Sequence, residues 1–155
     1  MRKILLRKWD HREVFPQVTL SRPQDGPLIP DFILTNREVQ DSVILEIKRS
    51  DFGTPRKRII RHQDNRVHLS DAVMEACAQL LTYRRRFESE DNRKRLKSVI
   101  GMEIYQPRLI VIIGRSFEFK DSLERQTLRA DNPEIEVVTY DDIMSIAKKR
   151  RVIIE

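Results

Sequence analysis

One cysteine, Cys77, serves all 155 residues. A lone thiol excludes an internal disulfide framework and a cysteine-rich zinc site, and it suits a reducing compartment. Long hydrophobic runs are missing as well. No apolar stretch approaches the roughly 18 residues of a membrane-spanning helix, so no span is expected. The opening Met1-Arg2-Lys3-Ile4-Leu5-Leu6 is too short in its apolar part for a secretory signal. No internal repeat is visible. The expectation is a soluble chain working in a cytoplasm.

What the chain has in quantity is charge: 35% of its residues are charged and 39% hydrophobic. A length of 155 residues accommodates one domain with its own core. Lys and Arg number 30 against 24 Asp and Glu, a net charge of +6. That surplus suits a polyanionic partner without demanding one.

Hydrophobic patterning orders the chain. Residues 1–13 are mixed, with Trp9 as a packing anchor. Val14 to Ser21 predicts a strand, placed at an edge by Pro16. Ser21 to Pro30 holds three prolines and a glycine, hence a loop. Asp31 to Thr35 and Val43 to Arg49 predict two strands, the second apolar enough to be covered on both faces. Ser50 to Leu69 reads as one long irregular segment. Ser70 is a candidate N-cap, with Asp71 in the first turn of a helix reaching about Arg86. Its stripe is Val73, Cys77, Leu80, Leu81 and Arg84, flanked by Ala72, Ala76, Gln79 and Tyr83. Glu88 to Lys97 reads as a charged linker. Then follow a dense strand at Arg108 to Arg115, a helix at Asp121 to Ala130 and a strand at Ile135 to Tyr140. A helix at Asp141 to Lys149 and an edge strand at Val152 to Ile154 end the chain. The alternation predicts an α/β fold, a mixed central sheet flanked by helices.

Chemistry concentrates at Pro30-Asp31-Phe32 and Leu45-Glu46-Ile47-Lys48-Arg49. Side chains alternate along a strand, so Ile44, Glu46 and Lys48 share one face while Val43, Leu45 and Ile47 take the other. A plain solvent-facing ion pair fits poorly on so apolar a strand, because burying an unpaired lysine costs several kcal/mol, roughly. Metal-assisted phosphodiester cleavage gives these groups a use. Asp31, Glu46 and the Ile47 carbonyl supply hard oxygen ligands for Mg²⁺ or Mn²⁺, and Lys48 stabilises charge or positions water. Elsewhere the plainer uses prevail. Cys77 reads as core, Glu75 as surface, Tyr83 and Tyr105 as packing more than base stacking, and His62 and His68 as loop residues. Of the basic runs, Arg56-Lys57-Arg58 is the candidate phosphate grip because it flanks the site; Arg84-Arg85-Arg86 and Arg93-Lys94-Arg95 read as solvated faces.

Asp31 followed by Glu46-Ile47-Lys48 resembles the PD-(D/E)XK nuclease superfamily, whose signature is an Asp and, on the next strand, Glu-x-Lys. Gln79 on the following helix fits several of its branches. The order Pro30-Asp31-Phe32, Leu45-Glu46-Ile47-Lys48-Arg49, Ala78-Gln79-Leu80-Leu81-Thr82-Tyr83-Arg84, Ile112-Ile113-Gly114-Arg115 and Thr139-Tyr140-Asp141-Asp142-Ile143 resembles the nuclease domain of the Shedu anti-phage defence family. The resemblance covers about residues 10 to 150. It implies a PD-(D/E)XK, restriction-endonuclease-like fold and a metal-dependent DNA endonuclease from a prokaryotic defence protein. Residues 1–155 would form one nuclease domain of a longer, oligomeric chain whose sensing region precedes it. Asp31, Glu46, Lys48 and Gln79 would be the catalytic residues. Many superfamily members carry a further acid on a helix before the first strand, and here only Glu13 is available for that place. Two alternatives stand beside this: a repair or restriction nuclease on the same fold, and a nucleic-acid-binding or oligomerisation domain that does not cleave. The sequence leaves RNA open as a substrate.

Overall fold

The structure, a computed structural model, describes residues 13–20, 26–49, 59–64 and 66–151. Strands β1 (Glu13–Pro16), β2 (Phe32–Asn36) and β3 (Asp41–Ile47) form an antiparallel meander. A second hairpin, β4 (Ile60–Gln63) and β5 (Arg66–Leu69), stands apart as a two-stranded sheet. Helices α1 (Asp71–Arg85) and α2 (Glu90–Ile100) lead to β6 (Arg108–Ile112). Helix α3 (Ser122–Asp131), β7 (Ile135–Val138) and α4 (Tyr140–Arg151) follow. The main sheet runs β1-β2-β3-β6-β7. β3 is its middle strand, antiparallel to β2 and parallel to β6. The mixed sheet expected from the alternating elements is thus present.

The alternation along β3 sorts the core into two layers. Ile44 joins Leu109 and Val111 under α1, α2 and α3, in a cluster that includes Val73, Leu80, Leu96 and Leu128. Val43 and Leu45 join Ile110 and Ile112 on the other face, where α4 contributes Ile143. The face with three helices carries the larger core, and it is the face on which Glu46 lies. Ser70 caps α1 as expected, its hydroxyl accepting from Val73 N at 3.3 Å.

Three local expectations need correction. Glu88 to Lys97 is no linker. Asn92, Leu96 and Ile100 bury one narrow face of α2, and the buried amide of Asn92 donates to the carbonyls of Leu20 and Arg86. Charge on the remaining faces hid a period carried by only two apolar residues. Ser50 to Leu69 is not irregular throughout, since its last ten residues contain the β4–β5 hairpin; the turn includes Asp64 at a positive φ of 51°. Few apolar side chains mark that hairpin in the sequence. Glu13 lies on a strand, not a helix. It accepts from Thr35 Oγ1 at 3.0 Å and Arg37 Nε at 2.8 Å, at the end of β2 remote from Asp31, so it takes no part in the acidic site. Trp9, Ser50 to Arg58 and Val152 to Ile154 lie outside the described residues.

A reciprocal cap starts α4. Thr139 N and Oγ1 both donate to Asp142 Oδ2 at 2.9 Å, and Asp142 N donates back to Thr139 Oγ1 at 3.2 Å. Arg125 adds an ion pair to the same carboxylate. Burial alone would raise the Asp142 pKa, but Arg125 and Thr139 outweigh it and hold it at about 2, against an ordinary 3.8. A depressed carboxylate contributes stability that is complete above its unfolded pKa and lost as pH falls through the folded one. Asp142→Asn should therefore cost about 2 kcal/mol at neutral pH, with the gap to the parent closing as pH falls from 3.8 toward about 2. Urea unfolding across that range measures it.

Candidate active site

Four side chains meet at the C-terminal end of β3. Asp31 stands just before β2 and accepts the Ile47 N–H at 2.7 Å through Oδ2. That bond ties the entry of one strand to the exit of its neighbour and brings Asp31 to the Glu46-Ile47-Lys48 segment. Glu46 is only 6% exposed. Lys48 donates its ammonium to Glu46 Oε1 at 3.0 Å and to Gln79 Oε1 at 2.7 Å.

Gln79 reaches the lysine from α1, which packs on β3 and β6. Its amide nitrogen donates to the Tyr83 hydroxyl, and that hydroxyl donates to the Ile29 carbonyl at 3.2 Å. The donors all run one way, from Lys48 to Gln79 and from Gln79 through Tyr83 to Ile29. The chain sets the amide orientation: the carbonyl faces the ammonium and the NH₂ faces the phenol.

Glu46 Oε2 is buried without a hydrogen-bond partner. An orphaned carboxylate oxygen is costly unless something else binds it. Burial raises the Glu46 pKa first of all; the charge of Asp31 adds to that rise, and Lys48 opposes it. Tyr83 is raised by burial and then by Glu46, with Asp31 contributing. Tyr140 is raised by burial and by Asp31, with Arg49 opposing. Tyr83 thus senses both acids and Tyr140 senses Asp31, and both phenols stay protonated donors at neutral pH.

These groups fit a hard divalent cation. Glu46 Oε2 is a buried carboxyl oxygen without a hydrogen-bond partner, and Asp31 provides the second carboxylate. Among the described residues no three His, Cys, Asp or Glu side chains converge. A bound ion would therefore complete its shell with the Ile47 carbonyl and water, as Mg²⁺, which retains water, commonly does.

All four catalytic candidates, Asp31, Glu46, Lys48 and Gln79, are thus brought together. Arg56, Lys57 and Arg58 lie outside the described residues. His62 belongs to the hairpin and contacts Glu124 at 3.1 Å; His68 is exposed on β5. Glu75 is exposed. Cys77 is buried, and burial raises its thiol pKa, as befits a core residue. Tyr105 is exposed, with the Arg93 guanidinium 5.3 Å from its ring centroid. The other basic runs make internal bonds: Arg84 with Glu134, Arg93 with the Phe87 and Glu88 carbonyls, Lys94 with Glu90 and Arg95 with the Leu20 carbonyl. Sequence reading missed the roles of Tyr83 and Tyr140. The four-residue spacing of Gln79 and Tyr83 places them together on a helix and could have flagged the first. Tyr140 lies in one of the motifs that carry the family resemblance, but nothing in that local pattern ties it to the site.

A mixed α/β sheet flanked by helices, with two carboxylates, a lysine and a glutamine at the end of its middle strand, defines an α/β domain with a compact acid–lysine site. The chain belongs to the Shedu family: the family model described as "Shedu protein SduA, C-terminal" matches residues 1–144. That membership supports a domain of an anti-phage defence protein. Comparison with curated proteins finds no match. Among the described residues no helix is long and apolar enough to cross a membrane.

Proposed function

We propose that the domain is a metal-dependent DNA endonuclease of the PD-(D/E)XK type, cleaving phosphodiester bonds in anti-phage defence. The observation that carries this is Glu46: a buried carboxylate with one oxygen bound to Lys48 and the other unpartnered. Asp31, Glu46 and the Ile47 carbonyl would hold Mg²⁺ or Mn²⁺. When bound, such an ion acidifies water and offsets charge on the scissile phosphate.

The chain's own groups do the rest. Lys48, 30% exposed at its side chain, can turn its ammonium to a non-bridging phosphate oxygen or to the attacking water. Gln79 limits its swing by holding Nζ from the α1 side. Asp31 keeps the Ile47 peptide from rotating. The net charge of +6 favours approach of a polyanion, and Arg56, Lys57 and Arg58 would bind flanking phosphates. DNA is the partner in this scheme, and the longer protein works as a homo-oligomer in the prokaryotic cytoplasm.

The test is incubation of the chain with closed-circular and linear duplex DNA in Mg²⁺, in Mn²⁺ and in excess chelator. Strand breaks should appear with either metal and stop with chelator. Equal cleavage in chelator would overturn the metal-dependent scheme.

A further inference from the structure

β3 ends at Ile47, one residue short of the lysine its chemistry depends on. Lys48 therefore sits where the strand ladder no longer holds both of its peptide groups. Its N–H still donates to the Ile112 carbonyl at 2.9 Å. Its carbonyl is held by the Tyr140 hydroxyl at 2.8 Å, across 92 positions of sequence. Resting on the nuclease reading of the site, we propose that Tyr140 is a positioning residue for Lys48, fixing the main chain from which the ammonium reaches Glu46 and Gln79.

The tyrosine is anchored well enough to serve. Its ring packs against the core cluster on the α4 face, the cluster that Phe32 and Ile47 also flank. Its own N–H donates to the Gly114 carbonyl at 3.1 Å. Gly114 in turn has φ +63°, and a Cβ there would stand 2.4 Å from Ile59 Cγ1. That turn has no room for a side chain, so position 114 requires glycine. An unbroken path runs from the end of β6 through Tyr140 to the Lys48 carbonyl.

The two faces of the sheet divide the task. From one face, α1 holds the lysine side chain through Gln79, with Tyr83 behind it. From the other, the first residue of α4 holds the lysine backbone. A lysine has a long, flexible stem, and a rotation of its peptide is carried out to the ammonium. Displacing a catalytic group by about 1 Å can lower a rate on the order of 10²-fold. Tyr140→Phe removes the hydroxyl and keeps the ring, so the packing against the core cluster remains.

The experiment compares the parent chain with Tyr140→Phe in three readouts: single-turnover and steady-state DNA cleavage with Mg²⁺, the thermal unfolding midpoint, and the ¹⁵N resonance of the Lys48 ammonium. A hydrogen-bonded ammonium exchanges slowly enough to be seen; a released one broadens. The expected result is a kcat lower by roughly 10- to 100-fold with KM unchanged, a nearly constant midpoint and a broadened ammonium signal. An unchanged kcat and signal would overturn the proposal. So would a rate loss matched by a collapse of the unfolding midpoint with the signal of the remaining folded protein intact, which is a structural role only. If the parent chain cleaves no DNA, the nuclease reading fails separately, and the ammonium signal still decides whether Tyr140 positions Lys48.

Discussion

Lys48→Ala should abolish metal-dependent DNA cleavage, with a loss of at least about 10²–10³-fold, the scale on which removing one charge-stabilising donor acts. The fold should survive. Lys48 lies beyond the last residue of β3, is partly exposed, and belongs to neither core cluster. The substitution has a second effect, on Glu46. The Lys48 hydrogen bond and charge both lower the Glu46 pKa, against burial and Asp31. Without the lysine, Oε1 loses its ammonium donor, and the carboxyl holds its proton more tightly. Metal binding by Lys48→Ala should then weaken most at mildly acidic pH and recover as pH rises. Arginine is a poor substitute, because its planar fork cannot reproduce the paired contacts of a compact ammonium. Cleavage assays beside calorimetric Mn²⁺ titration separate the two effects. A rate equal to that of the parent would remove Lys48 from the chemistry.

Glu46→Gln should abolish cleavage while leaving the metal-free chain as stable as the parent, or more stable, at neutral pH. The sign follows from the direction of the shift. Burial, the largest cause, raises the folded-state pKa above the ordinary 4.5. The folded chain therefore holds this proton more tightly than the unfolded chain does. That contribution to stability is complete below 4.5 and is lost as pH rises through the raised value. Above that raised value the parent carries a desolvated carboxylate with one oxygen unpaired; the amide of the variant carries no charge there. The stability of the variant relative to the parent should thus grow as pH rises from acid to neutral. Mg²⁺ at about 100 times its Kd should stabilise the parent by about 2.7 kcal/mol and the variant hardly at all. Urea unfolding with and without Mg²⁺, at acid and neutral pH, tests both parts. A full metal-induced shift in Glu46→Gln would remove Glu46 from the ligand set. A destabilised variant at neutral pH would mean that the Lys48 pair outweighs the burial cost.

A group that lowers stability while serving chemistry is common where function requires a buried charge, and under the proposed reading Glu46 would be such a group. Here the cost is local. The ion pair and the one-way hydrogen-bond chain through Gln79 and Tyr83 confine it to one unpartnered oxygen.

Local physics made much of this legible without coordinates. Period-two alternation put Ile44 and Glu46 on one face of β3, with Lys48 following on the same side just past its end, because successive side chains point to opposite sides of a strand. Pro30 and Asp31 marked the start of β2, Ser70 the start of α1, and the dense runs at Val43 and Arg108 the two buried parallel strands. The family resemblance rested on those same short motifs, and the match over residues 1–144 bears it out. Tertiary structure decided what local pattern does not encode. It placed β6 beside β3, made a helix of the charged stretch after Glu90, and folded a hairpin from Ile60 to Leu69. It also moved Glu13 away from the acids, left Glu46 Oε2 without a partner, and brought Tyr140 across 92 positions to the Lys48 carbonyl. The reason is one of range: strand alternation and helix caps are set by neighbours a few residues apart, whereas an orphaned oxygen and a long-range hydrogen bond exist only once distant segments share a core.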